Sequence, residues 1–266
     1  YIAGQKEPVI DMPTRFVDFM RVLVPMAGDD TTPEGEQVNI YGNHVGSWNF
    51  AATAYLNQWK VKIYYEHYFD DHSQMFFQYG RWKDGHIGLE ITFPKNRFID
   101  TFVYEGLGTK DQTGPMLYDS FWGEFEEQIS AKDNYYNHYL YQGWQHWGMG
   151  IGNPLLPGPI YNKNGQITFI SNRVLAHHIG FCGSPCQSLS YRMLLSYSRH
   201  WGTYDNPLNE IKKQFNSLFE VTYAPQQLKG WSFTVSGAMD RGSMLGNNYG
   251  GMLVIRKQGI IKSGNK

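Results

Sequence analysis

The chain has 266 residues, of which 41% are apolar, 16% aromatic and 18% charged, and its formal net charge is -1 at pH 7. This balance excludes a nucleic-acid-binding protein driven by phosphate neutralisation, because such a protein needs a basic excess. No apolar run approaches the roughly eighteen residues expected of a membrane helix. The length allows one large domain or two small ones.

The N-terminal segment predicts a short amphipathic helix. Apolar side chains recur there at helical spacing, at Phe16, Phe19, Met20 and Leu23. Thr14 can cap the start, and Pro25 with Gly28 ends the run. We expect this helix within residues 12–26, as a packing element of a loop or plug. Because the chain begins at Tyr1 without a basic and then apolar signal region, we also expect a processed chain or a fragment.

Further along the chain, long segments alternate apolar and polar side chains. In the clearest example Trp48, Phe50 and Leu56 occupy one set of alternate positions, and Ser47 and Asn49 occupy the other. Successive side chains of a strand point to opposite faces, so each such segment is apolar on one face and polar on the other. The alternating segments are Ser47–Asn57, Lys60–Phe69, His86–Phe93, Leu189–Trp201, Phe215–Ala224 and Trp231–Asp240.

Two kinds of all-β protein share this alternation, the soluble sandwich and the membrane barrel. The segments match the roughly nine to eleven residues of a tilted membrane strand better than the five or six of a typical soluble strand. Aromatic residues lie at segment ends, as in the interfacial girdles of outer-membrane barrels, at Trp48, Phe69, Trp82, Trp201, Tyr223 and Trp231. We predict a single all-β domain over residues 1–266, a partial transmembrane antiparallel β-barrel of about nine or ten strands. The soluble sandwich is the alternative.

The alternation stops between residues 106 and 166, where aromatic residues are frequent and Gly and Pro interrupt the chain. A loop of this length normally folds over a site. We therefore expect a long outer loop layer over 106–166 that contains one or two further strands.

Several runs of sequence resemble a known family. They are GNHVGSW (residues 42–48), YYEHYFDD (64–71), DGHIGLE (84–90), YE (104–105) with TKDQTGP (109–115), and GWQHW (143–147) with GNPLL (152–156). In these runs the chain resembles the capsule assembly Wzi family, and the resemblance covers nearly the whole chain from Phe16 onward. It implies an outer-membrane β-barrel of a Gram-negative bacterium that anchors capsular polysaccharide at the cell surface, as a lectin and not as an enzyme. Family members are longer and carry an N-terminal helical part at the periplasmic end, so we expect this chain to be the later portion of such a barrel.

A polysaccharide site needs aromatic rings for the C–H faces of sugars and planar polar groups for their hydroxyls, with Arg and Lys for anionic sugars. The aromatic candidates, all in the loop layer, are Trp122, Tyr135, Tyr136, Trp144, His146 and Trp147. The polar candidates, which we predict to face the barrel lumen, are Lys60, Lys62, Glu66, Glu90, Arg192 and Glu220. Any single aromatic residue of this kind is more often a packing or girdle residue, and any single charge is more often a solvated or paired interior residue.

Other functions stay open. A general diffusion porin would use the lumen charges as a selectivity filter. A surface glycan hydrolase would need two nearby carboxylates, for which Glu124, Glu126 and Glu127 are candidates, although clustered loop acids are commonly just solvated. An outer-membrane phospholipase would need His44 beside Ser47, but residues three apart on one strand point to opposite faces.

The sequence predicts no metal and no cofactor. His177 and His178 are adjacent on a predicted strand, so they point to opposite faces and cannot share one ion. The acidic stretch 70–72 is better explained as a solvated turn than as a Ca²⁺ site. Cys182 and Cys186 flank a predicted hairpin loop, where an oxidising compartment would permit a disulfide; a disulfide and two free thiols both stay open.

Overall fold

The computed structural model describes residues 13–24, 26–32, 37, 41–42, 44–70, 75, 84–96, 98–112, 134–138 and 144–259. In this part of the chain a short α-helix near the N-terminus precedes antiparallel β-structure. The elements in chain order are α1 (Phe16–Leu23), β1 (Val45–Leu56), β2 (Trp59–Asp70), β3 (Gly85–Thr92), β4 (Thr101–Gly108), β5 (Gln145–His146), β6 (Met149–Gly150), a 3-10 turn (Pro159–Tyr161), β7 (Val174–Cys186), β8 (Leu189–Gly202), β9 (Pro207–Tyr223), β10 (Trp231–Gly242) and β11 (Asn248–Lys257).

Nine strands form one sheet in the order β1-β2-β3-β4-β7-β8-β9-β10-β11, and each is antiparallel to its neighbours. The short strands β5 and β6 pair with each other in a separate hairpin. The antiparallel all-β prediction is confirmed. Each of the six alternating segments coincides with an observed strand, although Asn57, Phe93 and Ala224 lie one residue beyond the strand ends. Strand β9 begins at Pro207, earlier than the predicted start at Phe215. Within the described residues, β1 and β11 are the edges of the sheet.

The register carries the alternation across the whole sheet, because directly paired residues lie on the same face. One row of pairs is largely polar and runs through Lys60, Thr92, Thr101, Cys182, Arg192, Glu220 and Ser236. The adjacent row points to the other side and is apolar, through Val61, Ile91, Phe102, Phe181, Met193 and Phe219. We call these two sides of the sheet the polar face and the apolar face.

Between the edge strands β1 and β11, which are largely exposed on both sides, the two faces differ in exposure in the direction opposite to a soluble sandwich. On the apolar face Ile63, Ile87 and Val235 are 55%, 54% and 61% exposed. On the polar face Ser198 and Gln214 are both buried. A sandwich would cover its apolar face with a second sheet, and no element within the described ranges packs on this one.

The two ends of the sheet also differ. The longest connections, residues 71–84 and 109–173, both lie at the end where β2 and β4 finish, which we call the loop end. At the opposite end, the turn end, β1 joins β2 through residues 57–58 and β7 joins β8 through residues 187–188. Asn57 adopts a positive φ of 56°, which suits such a two-residue turn.

The helix is shorter than predicted. Helix α1 covers Phe16–Leu23 instead of residues 12–26, and Arg15 takes the N-cap position that the sequence assigned to Thr14. The Asp18 carboxylate accepts a 2.9 Å hydrogen bond from the backbone N–H of Arg15, which satisfies a free donor of the first turn. None of the helices in the described part of the chain is long and apolar enough to span a membrane.

The buried core lies at the loop end, where the loop layer folds onto the polar face. It consists of Leu107, Tyr136, Leu156, Phe169, Val174 and Ala176. The layer is the connection of residues 109–173; the prediction of 106–166 started too early, because β4 continues to Gly108, and ended too soon. A Cβ on Gly158 would lie 2.4 Å from the carbonyl oxygen of Gly148, so the fold requires glycine at residue 158.

Candidate functional site

A cavity of about 880 Å³ separates the polar face from the loop layer at the loop end. The sheet contributes polar side chains to its wall, among them Ser47, Glu66, His86, Glu105, Ser196 and Asn216. The loop layer contributes mainly aromatic and apolar side chains, among them Tyr136, Trp144, Met149, Leu155 and Tyr161. The cavity therefore has one hydrogen-bonding wall and one apolar wall.

Two carboxylates flank one imidazole on the sheet wall. Glu66 lies 3.6 Å from Nδ1 of His86, and Glu105 lies 3.5 Å from Nε2 of the same ring. Ser47 donates a 2.7 Å hydrogen bond to Glu66. These four residues come from β1, β2, β3 and β4, so pairing of neighbouring strands assembles the group.

The Tyr64 hydroxyl donates a hydrogen bond to Glu105, although β3 separates their strands. Gly88 is the residue between them in the row of pairs. A Cβ on Gly88 would lie 2.0 Å from the Tyr64 ring. The absence of a side chain at residue 88 therefore lets the phenol cross β3 and reach the carboxylate.

A second polar group lies on β7, β8 and β9. His178 Nδ1 and the Ser196 hydroxyl are 2.7 Å apart. His200 is 3% exposed and contacts Ser198 through Nε2 at 2.9 Å. Its Nδ1 has no hydrogen-bond partner among the described residues. A buried ring nitrogen without a partner, on the wall of a cavity, is a place where a ligand can form a hydrogen bond.

Hydrogen bonds attach the loop layer to the end of the sheet. Tyr135 donates a 3.0 Å hydrogen bond to Asp84, and the backbone N–H of Asp111 donates one of 2.9 Å to the same carboxylate. Gln112 donates a 2.7 Å hydrogen bond to Asn172, which joins the two ends of the layer. Asp84 is almost wholly buried, and this burial raises its pKa to about 6.

Tyr136 and Trp144 form the aromatic part of the apolar wall. Their rings stack with centroids 6.1 Å apart, and Phe169 packs edge-on against Tyr136 at 5.1 Å. Burial raises the pKa of the Tyr136 phenol, and the carboxylates of Asp70 and Glu66 raise it further. This phenol therefore lies in a negatively charged environment.

The predicted aromatic residues divide into two groups. Tyr135, Tyr136 and Trp144 line the cavity, although the hydroxyl of Tyr135 is already bound to Asp84. His146 and Trp147 lie on the β5–β6 hairpin, where Trp147 has a positive φ of 53° and is 85% exposed. Trp122 lies outside the described residues.

The six predicted polar residues all lie on the polar face, but only Glu66 lines the cavity. Lys60 pairs with Glu90 at 3.4 Å, and Arg192 pairs with Glu220 at 3.3 Å, both nearer the turn end. Lys62 lies over the Tyr64 ring, 5.1 Å from its centroid. The sequence missed His86, Glu105, His178, Ser196 and His200, which periodicity places on the correct face but which only the register brings together.

The hairpin prediction for the cysteines is wrong. Cys182 and Cys186 are free, and both lie in β7, so the turn that follows them is at residues 187–188. The face assignments of the histidines are confirmed: His178 lies on the polar face, whereas His177 lies on the other face and contacts the Tyr104 hydroxyl at 2.9 Å.

Other candidate residues fall partly outside the structure. Among the described residues, no group of three or more His, Cys, Asp or Glu is arranged to hold a metal ion. Asp70 ends β2, and residues 71–72 lie outside the described ranges, as do Glu124, Glu126 and Glu127.

The fold and the site define a two-faced antiparallel β-sheet protein with a loop-covered cavity on its polar face. Comparison of the chain with models of known protein families, with curated proteins and with solved structures returned no match.

Proposed function

We propose that the chain belongs to an outer-membrane β-barrel that binds and anchors capsular polysaccharide at the cell surface, the function that its resemblance to the Wzi family implies. The observation that carries the proposal is the cavity at the loop end, which sets aromatic rings opposite hydrogen-bonding side chains. Sugars are bound by this combination, because their C–H faces lie on rings while their hydroxyls take hydrogen bonds.

The exposed apolar face supports a place in the bilayer. A strand of 12 residues such as β1 is about 40 Å long, enough at the usual tilt to cross an apolar band about 25 Å tall. Tryptophans lie towards both ends of the apolar face, Trp48 and Trp201 near the loop end and Trp59 and Trp231 near the turn end. Bilayer proteins place such rings at the two interfaces.

The unequal lengths of the connections at the two ends of the sheet support an orientation of the barrel in the membrane. Outer-membrane barrels have short periplasmic turns and longer extracellular loops, so we assign the loop end to the cell exterior. Residues 71–84 and 109–173 would then face the capsule, and the polar face would form the barrel interior. In this orientation the 85% exposed Trp147 would be accessible to the polymer outside the cavity, whereas Trp144 lines it.

Binding of purified capsular polysaccharide to the detergent-solubilised chain tests the proposal, with polymer titrated against tryptophan fluorescence. We expect Trp144→Ala to weaken binding about tenfold or more, because a central aromatic contact commonly contributes over 1 kcal/mol. The matched control is Trp231→Ala, which removes the same side chain at the turn end. No binding to any polymer, or equal loss in both variants, would contradict the proposal.

Two further measurements separate the other functions. Rapid passage of small sugars in a liposome-swelling assay would favour a general diffusion porin. Release of reducing ends from the polymer would favour a glycan hydrolase. The proposal expects neither.

A further inference from the structure

We infer that the cavity takes a sugar unit that carries no acid group, a neutral or amino sugar rich in hydrogen-bond donors, and rejects a uronic acid. This inference rests on the proposed function and names the class of sugar that the site selects. It is based on the carboxylates of Glu66 and Glu105 and on the positions of the basic side chains of the polar face.

The sheet wall of the cavity is anionic. The side chains of Glu66 and Glu105 keep 28% and 30% of their surface exposed, so a ligand in the cavity can reach both carboxylates. Only the His86 ring lies between them, and one imidazolium cannot neutralise two carboxylates. The group therefore carries a net negative charge in either protonation state of His86.

No Lys or Arg lines the cavity among the residues that the structure describes. The Lys and Arg side chains of the polar face that the structure describes do not line this cavity. Lys60 is paired with Glu90, and Lys62 lies over the Tyr64 ring. Arg192 is paired with Glu220 and lines an adjoining pocket with Glu105, and Lys212 is the strand partner of His200.

His178 and His200 also line the cavity, but an imidazole is not a permanent cation as Lys and Arg are, and it is largely neutral at pH 8. Within the cavity, a carboxylated sugar would therefore lie beside Glu66 and Glu105, with no Lys or Arg among the described residues of the wall.

The polar groups of the wall favour a ligand with hydrogen-bond donors. Ionised carboxylates only accept hydrogen bonds, so Glu66 and Glu105 suit sugar hydroxyls or an ammonium group. The unpartnered Nδ1 of the buried His200 adds a further hydrogen-bonding position. Tyr136 and Trp144 would cover the C–H face of the same sugar ring.

The experiment compares each uronic-acid capsular polymer with its own carboxyl-reduced form, in which the acid has become a neutral hexose. Both are titrated at pH 8 into the full detergent-solubilised chain. We expect the reduced form to bind about tenfold more tightly, because two like charges within a few ångströms disfavour the acid. Glu66→Gln and Glu105→Gln should reduce the ratio between the affinities for the reduced and the acidic form. Glu90→Gln, which removes an equal charge outside the cavity, should leave this ratio unchanged.

The possible results distinguish a failure of the inference from a failure of the proposed function. If the acidic polymers bind as tightly as their reduced forms, or if neither cavity variant changes the ratio, the inference is wrong and the proposed function stands. If no polymer binds in either form, the proposed function fails and the inference with it. Thermal unfolding of each variant identifies a loss of binding that is due to misfolding.

Discussion

The hydroxyl of Tyr135 donates a 3.0 Å hydrogen bond to the carboxylate of Asp84, and this contact joins the loop layer to the start of β3. Both side chains are buried, Tyr135 at 4% exposure and Asp84 at 1%. The carboxylate thus holds in place a part of the layer that closes the cavity.

Replacement of Tyr135 by Phe should destabilise the loop layer. The change removes one hydrogen bond and leaves a buried carboxylate oxygen with one donor fewer, which costs about 1–3 kcal/mol. We expect faster proteolysis within residues 134–173 and a lower unfolding temperature. Tyr249→Phe is the control, since Tyr249 is 79% exposed. Equal effects of the two changes would show that the contact with Asp84 contributes nothing.

The stability of the loop layer should depend on pH through Asp84. Burial raises the pKa of this carboxyl from its ordinary 3.8 to about 6. Between these values the folded protein holds a proton that the unfolded chain has released, so stability falls as pH rises from about 4 to about 6 and is then level. Asp84→Asn should remove the fall in stability between about pH 4 and about pH 6. The control is Asp205→Asn, a change at an exposed residue, which should leave this dependence on pH unchanged. If stability still falls with pH over this range in Asp84→Asn, a titrating group other than Asp84 causes the fall.

Alanine at Gly88 should disrupt the carboxylate group of the cavity. The new Cβ would overlap the Tyr64 ring, which must move and lose its hydrogen bond to Glu105. Overpacking of this kind costs about 1–3 kcal/mol, measured as a fall in unfolding free energy. Gly250→Ala on the polar face of β11 is the control, because a Cβ there meets nothing within 4 Å. If Gly88→Ala lowers the unfolding free energy no more than Gly250→Ala does, the close contact between residue 88 and the Tyr64 ring is contradicted.

A charge on the apolar face should report whether that face meets lipid. Arginine at Val235, which is 61% exposed, would cost about 2–4 kcal/mol in the middle of a bilayer, but little in water. Ala238→Arg places the same charge on the polar face of the same strand and is the control. Folding into lipid vesicles at graded urea concentration measures both variants. Equal stabilities would indicate that the apolar face is not in hydrocarbon.

The sequence by itself determined the strands and the character of their faces. Side chains alternate with a period of two along any strand, so Trp48, Leu195 and Phe233 were separable from Glu66 and Arg192 before any pairing was known. The structure confirms this division. It also confirms a helix near Phe16, although its ends differ because the Arg15 and Asp18 contact sets the first turn.

Only the tertiary structure decided which polar residues form a site. Glu66, His86 and Glu105 belong to three strands, and they meet because each strand pair has one register and because Gly88 leaves room for Tyr64. Alternation along one strand contains no information on its offset from the next. In the same way, local sequence marked Tyr136, Trp144 and Trp147 alike as loop aromatics. The packing of the layer against Phe169 places the first two in the cavity and leaves the third exposed, since burial depends on contacts distant in the chain.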